Sequence, residues 1–482
     1  MKPFPLLALV LVLSGCTVGP NYQRPAAPGT SANWTEPAET GAVDPVWWRQ
    51  FGDAQLTALI ERALSKAPDV AEAEARLREA RANRDAAAGG ALPSLGASGS
   101  YTKNRLSENG QFPINVIPGF SRDFPLFDMG FDASWEIDLW GRQRRKVEAA
   151  TDRTAAAEAG RRDVMVTLSA EIARNYFDLR AAQADAKALQ GMAQADAELA
   201  KLTRLRFDAG EASKLDLDSA QSSARASAAA VPDASASAAA AAYRIAALVG
   251  APPEEIAPGL LASAQPVPQS PDSILVGVRS DLLERRPDIR RAEREFAAAT
   301  ADIGVAKADL FPRVSLLGSI GQQAQSGSDL FDGGSTRFQF GPSFSWPIFA
   351  GGTIRAQIRA ADARADAAAA RYEKAVLGAL SDSEAAINRF LNARAALTDA
   401  DASLTAQTSA FGLAQQRARR GEDDQLALMR ATRARLASER AATSAGRAKG
   451  QAAVALFKAL GGGWTPPPEE QSASLAPGEA RR

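Results

Sequence analysis

Few side chains in this sequence can do covalent or acid–base chemistry, and their types narrow the possibilities at once. Histidine is absent from all 482 residues, which removes His-dependent triads, imidazole general bases and His-ligated zinc. A single cysteine, Cys16, excludes an internal disulfide and a Cys-rich metal site. Neither a Walker-type phosphate loop nor a complete Gly-x-Ser-x-Gly elbow occurs. Asp and Glu mostly interleave with Lys and Arg, as solvated helix faces do, so no isolated carboxylate pair stands out for hydrolysis. The expectation is a protein that is not an enzyme and carries no metal or organic cofactor. The 56 basic and 56 acidic residues cancel, which leaves no broad field to gather nucleic acid. What remains is one thiol among charges that mostly cancel along helix faces.

The thiol sits at the end of a leader. Lys2 gives a short positive region, Leu6 to Leu13 form an apolar run, and Leu13-Ser14-Gly15-Cys16 closes it. Such a run is too short to span a bilayer and ends in small residues, as a cleavable signal does. The Leu-Ser-Gly-Cys ending looks like a bacterial lipobox. That implies cleavage before Cys16, with diacylglycerol on its sulfur and an acyl chain on the new N-terminus. Several chains would anchor firmly where one is marginal. Thr17 follows, rather than the Asp typical of inner-membrane retention, which points to the outer membrane. No later stretch approaches 18 uninterrupted apolar residues, so no transmembrane helix is expected.

The remainder is an internal duplication. Pro68-Asp69-Val70 recurs as Pro287-Asp288-Ile289, and Pro93 as Pro312, both at an offset of 219. Gly141, Gly210-Glu211, Leu215 and Gly250 recur as Gly352, Gly421-Glu422, Leu426 and Gly461 at an offset of 211. Pro and Gly at fixed offsets seldom coincide by chance, and the pattern reads as two structural repeats. Each repeat reads helix, strand, strand, long helix, turn, helix. Residues 142–209 and 353–420 contain no proline and would each reach roughly 100 Å if continuous. Helices of that length call for coiled-coil packing. A partial heptad of Val376, Phe390, Leu397, Leu404 and Phe411, broken by Ser383, supports it. Gly210 and Gly421 then stop the long helices, and antiparallel helices return over 212–250 and 422–461. Opening helices are expected over about 53–91 and 281–310. Pro232 is expected to break or kink the first returning helix, and the Ala/Ser tract from Ser222 to Ala242 could instead be disordered.

Four segments alternate with period two, about 95–102, 129–140, 314–321 and 338–346. Phe131, Ala133, Trp135, Ile137 and Leu139 share one face, against Asp132, Ser134, Glu136 and Asp138. Phe338, Phe340, Pro342, Phe344 and Trp346 alternate with Gln339, Gly341, Ser343 and Ser345. Such segments approach the length of a tilted membrane strand. A half-buried sheet on a soluble core would show the same alternation, but the aromatic face and the outer-membrane leader favour the membrane. Four strands cannot close a barrel, and lipid tolerates no open edge, so chains must combine. Two chains would give eight strands and three would give twelve, and this arithmetic does not choose between them.

These residues together resemble the TolC-like outer-membrane factor family, in its OprM/NodT-type lipoprotein branch. The resemblance is carried by Cys16-Thr17-Val18-Gly19-Pro20-Asn21-Tyr22, by Trp47-Trp48 with Phe51 and Asp53, and by Ala133-Ser134-Trp135-Glu136-Ile137-Asp138-Leu139-Trp140-Gly141. Asp281-Leu282-Leu283-Glu284-Arg285-Arg286-Pro287-Asp288-Ile289-Arg290, Phe311-Pro312 and Gly341-Pro342-Ser343-Phe344-Ser345-Trp346-Pro347-Ile348-Phe349 extend it. It implies a mainly α chain with membrane β, in which two long-hairpin repeats form a tunnel and four strands per chain complete a trimeric twelve-stranded barrel. The chain would divide into leader 1–15, acylated extended segment 16–52, repeat 53–250, equatorial linker 251–271, repeat 272–463 and tail 464–482. As a homotrimer in the cell outer membrane, it would form the passive exit duct of a tripartite efflux system. A periplasmic adaptor would link it to an inner-membrane RND-type pump. The nearest alternative is a periplasmic adaptor or structural spacer lipoprotein, which would lack two hairpins interleaved with paired aromatic strands.

The same resemblance assigns the hairpin turns, Arg206 to Ser213 and Arg417 to Asp424, to the adaptor-facing tip. The family often has Tyr just after the Arg, where this chain has Phe207 and Ala418. Acidic side chains commonly ring the family's closed aperture, and one such position here holds Arg430. The expectation is therefore a latch of Arg430 with Asp216, Asp218, Asp423 or Asp424.

Overall fold

The computed structural model describes residues 17–26, 28–29, 33–37, 39–107, 121–422 and 424–464. The leader, Cys16, Asp423 and the tail beyond Trp464 lie outside the described residues. In chain order the main elements are α1 (Ala54–Lys66), α2 (Pro68–Gly89), β1 (Ser94–Arg105), β2 (Asp123–Ile137), α3 (Arg142–Asp208), α4 (Lys214–Val249) and α5 (Pro253–Ala262). Then follow α6 (Pro287–Ala308), β3 (Arg313–Ala324), β4 (Thr336–Ser345), α7 (Thr353–Arg419) and α8 (Gln425–Ala459). No helix among the described residues is long and apolar enough to cross a membrane. The described residues fall into two compact units, one within Met1–Pro25, Leu77–Ala157 and Ala292–Tyr372, the other within Ala26–Arg76, Glu158–Arg291 and Glu373–Arg482.

The first unit holds the sheet, antiparallel in the order β1-β2-β3-β4. Its register places Ala97, Phe131, Ile320 and Phe338 in one cross-strand row and Gly96, Asp132, Ser319 and Gln339 in the next. Period-two alternation thus gives one aromatic and one polar face. Two tryptophans fix the sheet to the preceding helices. Trp135 Nε1 donates to the Ala91 carbonyl at 2.9 Å and Trp346 Nε1 to the Leu310 carbonyl at 3.0 Å. Donors differ by 211 and acceptors by 219, which is the duplication seen as a hydrogen bond. Gly130 and Gly321 face each other across β2 and β3, and a Cβ at either would lie 2.6 or 2.4 Å from the opposite strand's carbonyl oxygen.

The strands differ from their expected limits. β2 starts at Asp123, not 129, because Phe124 and Leu126 interrupt the alternation while the backbone pairing continues. Pro125 is tolerated there since residues 123–126 pair with β1 alone. β2 ends at Ile137, not 140, because Asp138 turns to accept from the Gln143 and Arg144 amides at 3.1 and 2.9 Å, which starts α3.

The second unit is helical. Trp47 stacks on Phe457 with centroids 5.3 Å apart, and Phe51 meets Phe177 edge-on at 5.2 Å. Gly450 makes this cluster possible, since a Cβ there would lie 2.2 Å from Phe177 Cε1. α4 runs unbroken through Pro232, contrary to the expected break or disorder. Pro232 and Ala228 are both exposed, so the carbonyl that loses its partner can bond water. Each opening helix is split. Ala67 is extended before Pro68, and Arg286 before Pro287, because a residue preceding proline avoids helical backbone. α5 lies within 251–271, a stretch that carried no helical expectation.

Candidate gate, docking tips and channel lining

Both hairpin turns close by the same main-chain device. The Glu211 amide reaches the Arg206 carbonyl at 2.7 Å, and the Glu422 amide reaches that of Arg417 at 3.0 Å. Gly210 and Gly421 take φ of +76° and +71° between these bonds, in the left-handed region that favours glycine. A Cβ at either meets nothing within 4 Å. Arg206 and Glu211 stand 3.9 Å apart, and Glu422 lies 4.0 Å from Arg417 and 3.8 Å from Arg420. These pairs are exposed, so they add little stability and leave a charged, accessible surface.

The acids expected to latch Arg430 have local uses instead. Asp216 closes a capping box with Ser213, which lowers its pKa through that hydrogen bonding. Asp218 bonds Lys214 at 2.5 Å, and Asp424 caps α8 by accepting from the Ala427 amide at 2.8 Å. Asp423 lies outside the described residues. Arg430 is exposed and forms no ion pair among the described residues. Among the described residues, Arg430 pairs with none of Asp216, Asp218 and Asp424: helix capping engages the first and last, and Lys214 engages Asp218. Cys16 is likewise outside the described residues, whereas the chain directly after it is held firmly. The Val18 amide donates to the Trp140 carbonyl at 3.1 Å, and buried Arg145 donates to Asn21 Oδ1 at 2.7 Å.

Three arrangements had no sequence expectation. On the polar sheet face, Arg337 forks onto Asp128 at 2.6 and 3.0 Å, and Gln323 adds a bond at 2.7 Å. In the helical unit, Arg433, Arg440 and Arg447 of α8 pair with Asp196, Asp185 and Asp178 of α3 at 3.3, 2.5 and 3.3 Å. The heptad spacing of the arginines was a usable signal, but their partners needed the packing of α8 on α3. Third, Arg180 is fully buried and donates to Gln183 and Tyr176, with further bonds to Gln55 and the Ser263 carbonyl. The Tyr176 hydroxyl donates to Asp53 at 2.8 Å, and burial pushes this phenol up to about 12. Among the described residues, no cluster of His, Cys, Asp or Glu could hold a metal ion.

Comparison with known proteins fits this architecture. The outer membrane efflux protein family matches residues 59–251 and 278–462. The pyoverdine export outer membrane protein OpmQ of Pseudomonas aeruginosa is 30% identical over 472 residues, covering 96% of this chain and 97% of its own. The outer membrane protein OprJ of the same species is 31% identical over 482 residues, covering 95% of each. A solved structure of the outer-membrane channel OprN superposes with a TM-score of 0.81 at 38% identity, covering 94% of this chain and all of that one. With two helical repeats, one four-stranded sheet and a family match over both repeats, the chain belongs to the outer membrane efflux protein family: it is an efflux channel of the outer membrane and not an enzyme.

Proposed function

We propose that three copies join edge to edge into a twelve-stranded barrel and form a passive, gated exit duct for small molecules. The carrying observation is a sheet whose edges, β1 and β4, are unpaired among the described residues, together with an exposed aromatic face. Phe338, Phe340 and Phe344 are 82%, 78% and 77% exposed in the single chain. Lipid excludes open edges and welcomes such a face, so closure by further copies satisfies both demands. Eight strands would fill their lumen with side chains, whereas twelve leave a water-filled path. On the helices, Val376 and Phe390 are buried, but Leu397, Leu404 and Phe411 of the same stripe are only half-buried. Neighbouring copies would cover the rest.

Diacylglycerol and an acyl chain on Cys16 tether each copy to the outer-membrane lipid. The tips at Arg206-Gly210-Glu211 and Arg417-Gly421-Glu422 receive a periplasmic adaptor, which couples the duct to an inner-membrane RND-type pump that supplies the energy. Arg430 gates the tip by pairing with carboxylates of adjacent copies. The test is planar-bilayer conductance of the purified mature protein beside Arg430→Ala. Small unitary currents that grow in the variant are expected. Equal currents from wild type and variant, at low and at high salt, discard the latch, and silence in both overturns the open trimeric barrel proposed here.

A further inference from the structure

The polar face of the sheet carries three carboxylates per chain, and they are not equivalent. Asp128 is neutralised by the two-pronged Arg337 pair. Glu136 lies 3.6 Å from Arg142. Asp132 accepts only the Ser98 hydroxyl, at 3.0 Å, and forms no ion pair among the described residues. Its cross-strand neighbours are Gly96 on β1 and Ser319 on β3, too short to cover it. A concavity of about 520 Å³ lies over this patch, lined in part by Ser94, Asp132, Ser134, Ser319 and Gln339. The Asp132 carboxylate is exposed at this opening and fixed by one hydroxyl, and Arg337, which is bonded to Asp128, acts on it only through space.

We infer that Asp132 sets the charge selectivity of the barrel lumen. The inference rests on the trimeric-duct reading, because closure with the aromatic face outward turns this face to the water path. Threefold symmetry then places three Asp132 carboxylates at one level, above a floor of glycine and serine. A ring of fixed carboxylates draws cations and repels anions at close quarters, as in cation channels. Arg337 bears on the same balance, because it offsets the charge of Asp128, four residues earlier on β2. Loss of Asp132 and loss of Arg337 must therefore act in opposite directions. Cargo would feel the same field, so cationic or neutral small molecules pass the lumen more readily than anions.

The experiment is the reversal potential of the full mature protein in a planar bilayer under a potassium chloride gradient. Wild type should favour potassium. Asp132→Asn, which keeps an acceptor for Ser98, should lower the potassium-to-chloride permeability ratio roughly two- to threefold, and Asp132→Lys should invert the preference. Arg337→Gln should raise the ratio instead by exposing Asp128. All shifts should shrink in concentrated salt, where the screening length falls to about 3 Å. Currents with a ratio unchanged by Asp132→Asn, or moved the same way by Asp132→Asn and Arg337→Gln, overturn the inference and leave the duct intact. Absence of current in wild type overturns the duct reading and this inference with it.

Discussion

Asp196 and Asp185 occupy comparable rungs between α3 and α8, yet their loss should have different consequences. The Asp196 side chain is 2% exposed, and it accepts from both Arg433 and the Ser227 hydroxyl of α4. The Asp185 side chain is 32% exposed and, among the described residues, is paired with Arg440 alone, itself 37% exposed. Removing one partner of a fully buried ion pair costs about 3–5 kcal/mol because the other charge is stranded. Arg433 is 46% exposed and would not be stranded, since its guanidinium can turn to water. The expected cost of Asp196→Ala is therefore smaller, about 2 kcal/mol, from one charge-assisted bond and a Ser227 hydroxyl left without its acceptor. Asp185→Ala should cost only about 0.5 kcal/mol, as half-exposed pairs do. Amide hydrogen exchange along α3 reads this locally without assuming two-state unfolding. Near residue 196 protection should fall roughly 30-fold in the first variant and about twofold near 185 in the second. Equal losses in the two variants would refute the claim that burial, and not the ion pair itself, sets the cost.

Two further outcomes follow from the tips and from the carboxylates. Gly210→Trp and Gly421→Trp together should abolish efflux in the host, while the trimer still migrates intact on a native gel. Open space surrounds both positions, and the positive φ costs only about 1 kcal/mol each. Undiminished efflux would remove the tips from adaptor docking. Glu384 is held below its usual value: burial opposes this, but bonds from the Thr35 amide and Arg279 outweigh it. Asp288 is likewise lowered, with burial outweighed by Arg286. A carboxyl lowered in the folded state contributes stability above its unfolded pKa and loses it as pH falls through the folded one. Melting temperature should accordingly hold near neutrality and drop as pH falls from the ordinary carboxylate range toward the lowered values. Glu384→Gln should flatten that drop, and an unchanged profile would show that this carboxyl carries no linkage.

Strand and helix identities were legible where one periodicity dominated. Phe338 to Trp346 announces a strand because each apolar residue follows a polar or small one. The start of β2 was hidden because Phe124 and Leu126 share a face with Asp128, and only pairing with Asn104 and Thr102 reveals it. Pro68 and Pro287 split their helices, whereas Pro232 did not, since the difference lies in what the preceding residue's backbone adopts and whether water reaches the freed carbonyl. The tip glycines could be read from the duplication itself. The partners of Asp216 and Asp424 could not, because both follow turns, where local capping competes with any distant partner. The α3–α8 rungs and Asp132's isolation depend on which strands and helices become neighbours, which is information no single segment contains.

The paired tryptophan bonds bear on how the two repeats have aged. Trp135 and Trp346 each donate to a main-chain carbonyl, belonging to Ala91 in one copy and Leu310 in the other. An acceptor made of backbone is indifferent to the side chain it carries, so substitutions there leave the fastening whole. The turn bonds at Arg206–Glu211 and Arg417–Glu422 are written in main chain alone. Geometry in this chain is thus inherited through the backbone, while side chains at matching sites, such as Phe207 and Ala418, have been free to diverge. One ancestral unit could in this way become two different tips without either losing its shape.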